Sequence, residues 1–209
     1  FTIIFGRVAQ ISTDSIPPFL FYLIGNVVWA YFATCVTTTS NTFISNVNLF
    51  SKVYFPRLTV PISIVIISVL QFVIQFTIFL LFYLYFYFNG MIIKFNWYFI
   101  FIPLLVLQMG IVGMGVGIII SSLTTKYRDL SFVVTFGIQL WMFATPIVYP
   151  FSLIPDKYKL LSSLNPMTSV VENFKYIFFQ RSGLEFEHIA TGASVSIIIF
   201  VAGLLLFSK

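Results

Sequence analysis

The side chains able to perform chemistry are few, and they lie apart. The acids are Asp14, Asp129, Asp156, Glu172, Glu185 and Glu187, beside one histidine, His188, and one cysteine, Cys35. One His and one Cys fall short of the usual zinc ligand sets, and no Ser–His–acid set converges on a common face as nucleophilic catalysis requires. His188 sits at the edge of an apolar run, where an interfacial role outweighs that of a base or ligand. The sequence contains no G-x-x-x-x-G-K-[ST], so it has no phosphate-cradling loop of that kind. The expectation is therefore no catalytic residues, no metal site and no cofactor held by this chain.

Two stripes offer binding chemistry instead. Phe132, Phe136, Gln139 and Phe143 recur at helical spacing, as do Tyr22, Asn26 and Trp29. Rings stack on the C–H faces of sugars, and an amide exchanges hydrogen bonds with hydroxyls, so either stripe could form a sliding surface for glycans. The competing reading is helix packing or interfacial anchoring, which uses the same residues.

The elements that must carry these stripes follow from hydropathy. Of the residues, 59% are hydrophobic and only 8% charged, against about 25% charged in soluble domains. A soluble exterior cannot be built from so little polarity, so the solvent must be a bilayer. Uncharged runs long enough to cross occur at about 19–38, 60–88, 98–123, 130–149 and 189–207. They are apolar on all sides rather than alternating, which selects helices over a barrel. Residues 1–5 are expected to be the tail of an earlier span, so that the sequence is an N-terminally incomplete piece of a six-helix chain. No run contains an internal ionisable residue, which argues against coupling to protons or ions. Gly113-x-x-x-Gly117 permits close helix approach, within the chain or across a dimer seam. Gln71 and Gln75 share a helix face and can bond a neighbouring helix or border a polar cavity.

The connections are unequal. Residues 39–59 form a polar, Asn/Ser/Thr-rich loop with Lys52 and Arg57, and residues 124–129 form a tight loop with Lys126 and Arg128. If these share a side with Lys209, the short loops opposite hold only Arg7 and Lys94, and the first side is cytoplasmic. The long 150–188 segment adds Lys157, Lys159, Lys175 and Arg181 outside, offset by Asp156, Glu172, Glu185 and Glu187. Its apolar run, Met167 to Phe179, is too short to span and reads as re-entrant or interfacial. Asn165-Pro166 is the natural start of that helix, with Asn as N-cap and Pro in the first turn.

Three segments carry a family likeness. NVNLFSKVYFPRLTVP (Asn46 to Pro61) resembles the loop between the second and third spans of ABC-2 family permeases that export polysaccharides. KYRDLSFVVTFGIQLWMFATPIVYP (Lys126 to Pro150) and LNPMTSVVENFKYIFF (Leu164 to Phe179) resemble the later half of the same family, whose members serve O-antigen, capsule and teichoic-acid export. The resemblance implies an all-α membrane protein with the six-helix ABC-2 permease fold, five full spans and the tail of the first being present here, and short re-entrant helices before the last span. It implies a single transmembrane domain in the cytoplasmic membrane of a bacterium. The implied partners are a second copy of the chain, two copies of a cytoplasmic ABC ATPase that bind the ATP and magnesium, a glycan or glycolipid substrate and membrane lipids, with no nucleic acid. It also implies a coupling helix within Asn41 to Phe55 docking on the ATPase. Asn48, Lys52, Arg57, Lys126 and Arg128 are the candidate contacts; headgroup anchoring is the alternative role of the basic ones. The implied function is ATP-driven export of a lipid-linked polysaccharide, the ATP being hydrolysed by the separate subunit. The alternatives are a drug- or lipid-exporting permease of the same fold and a membrane-embedded glycan-processing enzyme, the latter opposed by the missing acids within the spans.

Overall fold

The computed structural model describes residues 13, 16–45, 58–90, 97–124, 130–180 and 186–207. These form helices α1 (Pro18–Ser40), α2 (Thr59–Phe88), α3 (Ile102–Thr124), α4 (Leu130–Ala144), α5 (Asp156–Ser163), α6 (Pro166–Phe179) and α7 (Phe186–Phe207). Short helical turns also occur at Thr42–Ser45, Trp97–Phe101 and Phe151–Leu153. No β-strand occurs among the described residues. The all-α class follows from the solvent: hydrocarbon offers backbone groups no hydrogen bonds, and a helix satisfies them within one segment.

α1 is the hub. Pro17-Pro18 sets its start, since a proline at the first position lacks an N–H that would be unpaired anyway. Its buried residues run round every side, from Leu20 to Ser40, with α2, α3, α4 and α6 packed about it. α2 buries only a stripe, Pro61, Ser68, Phe72, Phe79 and Tyr83. Val65, Val69, Phe76 and Leu80 flank that stripe half-buried, as does Gln75, whereas Gln71 is exposed. Its 30 residues extend about 45 Å, enough to cross with tilt.

The glycines of α3 serve packing inside the chain. A Cβ added at Gly113 would stand 2.6 Å from Cys35 Cβ, and one at Gly117 would stand 2.5 Å from Thr39 Cβ, both on α1. On the opposite flank, a Cβ at Gly115 would meet the Phe200 backbone of α7 at 2.9 Å. Small residues thus let α3 wedge between α1 and α7, where packing must replace the absent hydrophobic drive.

Among the described residues, four helices are long and apolar enough to cross a bilayer: Pro18–Ser40, Thr59–Phe88, Trp97–Thr124 and Ile189–Leu206. The expected 130–149 span differs. α4 stops at Ala144 after 15 residues, about 22 Å, short of the ~30 Å hydrocarbon core. Pro146 is the cause, because it has no N–H to continue the ladder and disfavours helical geometry at Thr145. The chain turns instead, with Thr145 N–H donating to Met142 O and Ile147 N–H to Thr145 O.

Replacing Gly117 with Val is expected to cost about 1–3 kcal/mol through overpacking against Thr39. Thermal melting of the detergent-solubilised protein checks this; Gly137→Ala, whose Cβ meets nothing within 4 Å, is the control expected not to lower the midpoint, since Ala favours a helix interior over Gly.

Candidate functional site

The α4 stripe stands free of the fold. Phe132, Phe136 and Phe143 are 77%, 61% and 49% exposed, Gln139 is exposed between them, and Ile138 is the only residue of α4 that is buried. The helix leans on α1 through Trp141, whose ring meets Trp29 at 6.4 Å and Phe32 edge-on at 5.2 Å. The α1 stripe is divided. Tyr22 and Trp29 are in the core, Tyr22 against Phe21 and Trp29 against Phe32. Asn26, one turn from each on the same flank, is exposed. α4 therefore presents three rings and the Gln139 amide outward, while its Trp141 faces Trp29 and Phe32 of α1.

A second feature lies where no stripe predicted it. α6 begins with Asn165 accepting from Met167 N–H, and almost every residue after it is buried, including Glu172 and Lys175 at 1% and 0% exposure. Their spacing puts both on one face. Lys175 Nζ lies 3.0 Å from Glu172 Oε1 and donates to the carbonyl of Pro146. It also sits 3.9 Å above the centre of the Phe21 ring, a cation–π contact that gains strength from desolvation. One ammonium thus joins α6, the turn after α4 and the first turn of α1. Asn165 Nδ2 adds a parallel tie to Thr145 Oγ1 at 2.9 Å, and Tyr83 of α2 donates to Phe178 O at 2.8 Å. The Asp156–Lys159 pair of α5 contrasts with it. At 2.6 Å the Lys159 ammonium hydrogen-bonds the Asp156 carboxyl and holds it below its ordinary range, but this exposed pair contributes little to stability.

At the other end of the bundle, Thr124 Oγ1 donates to Ser40 O at 2.9 Å, so the C-termini of α1 and α3 meet and the two loops that follow leave from one end. A cleft of about 470 Å³ opens there between α1 and α2, lined by Thr37, Thr38, Asn41, Thr42 and Ser45 with Val60 and Ile64. Asn48, Lys52, Arg57, Lys126 and Arg128 lie outside the described residues. A groove of about 620 Å³ between α3, α6 and α7 is walled mainly by aliphatic and aromatic side chains. Its amides are engaged within the chain, Gln108 with Ser196 Oγ at 3.1 Å and Asn173 with Ser169 O at 2.7 Å, so it presents an apolar wall. Among the described residues, no cluster of three or more His, Cys, Asp or Glu could hold a metal ion.

Spanning helices packed through small residues, with buried charges satisfied inside the chain, define a multi-pass integral membrane protein. Residues 1–179 match the ABC-2 type transporter family, and the chain belongs to it. It is 33% identical over 195 residues to an O-antigen export system permease protein RfbA of Klebsiella pneumoniae, covering 93% of this chain and 73% of that one. A second Klebsiella protein of that name is 31% identical, over 91% and 71% of the two chains. A Myxococcus xanthus protein of that name is 27% identical, over 95% and 76%. Family membership makes the chain a membrane subunit of a transporter in the bacterial inner membrane.

Glu172 and Lys175 are visible in the sequence as an i, i+3 pair of opposite charges in an apolar run too short to span, a signal pointing to burial inside protein. Lys175→Ala, which leaves Glu172 without this partner, is expected to destabilise by about 3–5 kcal/mol. The yield of monodisperse protein and its melting midpoint measure this, and Lys159→Ala on exposed α5 should change neither.

Proposed function

We propose that this chain is the membrane-channel subunit of an ATP-driven exporter of a lipid-linked polysaccharide of the O-antigen class. Two copies would form the channel and a separate pair of ATPase subunits would supply the energy. The observation that carries the reading is the α4 surface: three rings and an amide held outward in a chain whose relatives are named for O-antigen export. In a bilayer, lipid-facing rings need no accompanying amides, whereas a hydroxyl-rich glycan uses both. A second copy facing this surface would enclose a path between two aromatic faces.

The absence of a phosphate-cradling motif from the sequence and of ionisable residues from the four long spans supports an external energy source. ATP binding on the partner can shift the channel only by favouring one of its states. The Thr- and Asn-lined end of α1 leads into the loop bearing Asn48, Lys52 and Arg57, which with Lys126 and Arg128 form the proposed contact with the ATPase.

Two outcomes follow. Phe136→Ala with Phe143→Ala removes two rings at ~0.5–1.5 kcal/mol each, so surface glycan should fall roughly five- to a hundredfold while membrane level and ATPase pull-down stay at the parent's; unchanged surface glycan rejects the path. Reversing Lys52 and Arg57 to Glu should abolish recovery of the ATPase on pull-down, and normal recovery rejects the coupling role.

A further inference from the structure

We infer that Lys175, with Glu172, is a positioning residue: it pins the turn at Thr145–Ile147 and so makes that turn the fixed pivot from which α4 presents its aromatic face. The importance of that face rests on the proposed function; the pivot itself rests on geometry.

α4 is held unequally. Along its 15 residues only Ile138 is buried, yet all of Thr145, Pro146, Ile147 and Val148 beyond its end are buried. The constraints converge on those residues. Lys175 Nζ donates to Pro146 O and Asn165 Nδ2 to Thr145 Oγ1. Ile147 packs so closely on α1 that a Cβ at Gly25 would lie 2.9 Å from its Cγ2.

The sequence explains why a hydrogen-bond donor is needed there. In a helix the Pro146 carbonyl would accept from the residue four further on, but that residue is Pro150, which has no N–H. A carbonyl left so inside a membrane protein is costly, and Lys175 reaches across from α6 to meet it. Glu172 then balances the ammonium, and the Phe21 ring covers it. The mutual attraction of the two charges is replaceable, since buried ion pairs can often give way to packed hydrophobic residues at no loss. What an apolar pair cannot do is bond the Pro146 carbonyl. Lys175 therefore anchors to α6 the helix end that Pro146 sets, and any swing of α4 turns about that point as a rigid lever.

The test uses the full transporter with its ATPase, in a Cys35→Ala background since Cys35 is the sole cysteine. Spin labels at Leu140 on α4 and Ile197 on α7, both exposed, report the position of α4 by electron–electron dipolar spectroscopy, with unlabelled chain in excess. A second pair, Leu70 on α2 with Ile197, reports the rest of the bundle. The double variant Lys175→Met, Glu172→Leu removes the tie without stranding a charge. The expected result is at least a twofold broadening of the Leu140–Ile197 distance distribution with the Leu70–Ile197 distribution unchanged. An unchanged Leu140–Ile197 distribution overturns the inference, and so does equal broadening of both pairs, which would make the ion pair a general stabiliser. These distances are read without substrate, so they stand or fall separately from the glycan path, which the Phe136 and Phe143 variants decide.

Discussion

Hydrocarbon supplies no hydrogen bonds, and every polar group carried into it must be satisfied by the chain itself. That constraint makes the spans helical and also governs their side chains. Thr37, Ser68 and Thr77 return their hydroxyls to carbonyls of the preceding turn, so α1 and α2 carry polar residues without exposing donors to lipid. Where the ladder is broken, as after α4, the same constraint brings a buried lysine to the turn. The α6 segment can lie inside the protein because its two charges answer one another and the backbone beside them.

Within that frame, cohesion comes from contact rather than from escape from water. Lipid tails are as apolar as the helix faces, so association relies on close packing and a few polar ties. α3 shows this on two sides, with Gly113 and Gly117 toward α1 and Gly115 toward α7. The aromatic cluster of Phe72, Phe76 and Phe79 with Phe174 and Phe178 shows it between α2 and α6, in mostly edge-to-face pairs. Beside α1 and α6, whose residues are mostly buried, α4 is lightly held, supported by Trp141 and the turn at its end. A lightly held helix with an aromatic and amide face is suited to meeting a partner and a passing glycan; the packed remainder is suited to staying still.

The helical class, the long apolar spans, the absence of a nucleotide motif and the start of α6 were legible in the sequence, because each depends on local quantities: hydropathy over ~20 residues, a fixed motif, or an Asn-Pro cap. Asn165 does cap α6, and the glycines of α3 do mark close approach. The end of α4 is not legible in hydropathy, because apolar residues continue past Pro146 whereas helical hydrogen bonding stops before it.

The sequence alone decided which solvent the chain inhabits and, the 130–149 run apart, which segments can cross it, since those follow from composition along the chain. Only the tertiary structure decided which side of each helix is buried: that Tyr22 and Trp29 belong to the core while Asn26 and the α4 rings do not, and that Gly113-x-x-x-Gly117 meets α1 of the same chain. It alone brought Lys175 to a carbonyl 29 residues earlier. Helices apolar on every side carry no periodic mark of their inner face, so orientation is set by which neighbours fit, and that is a property of the assembled bundle.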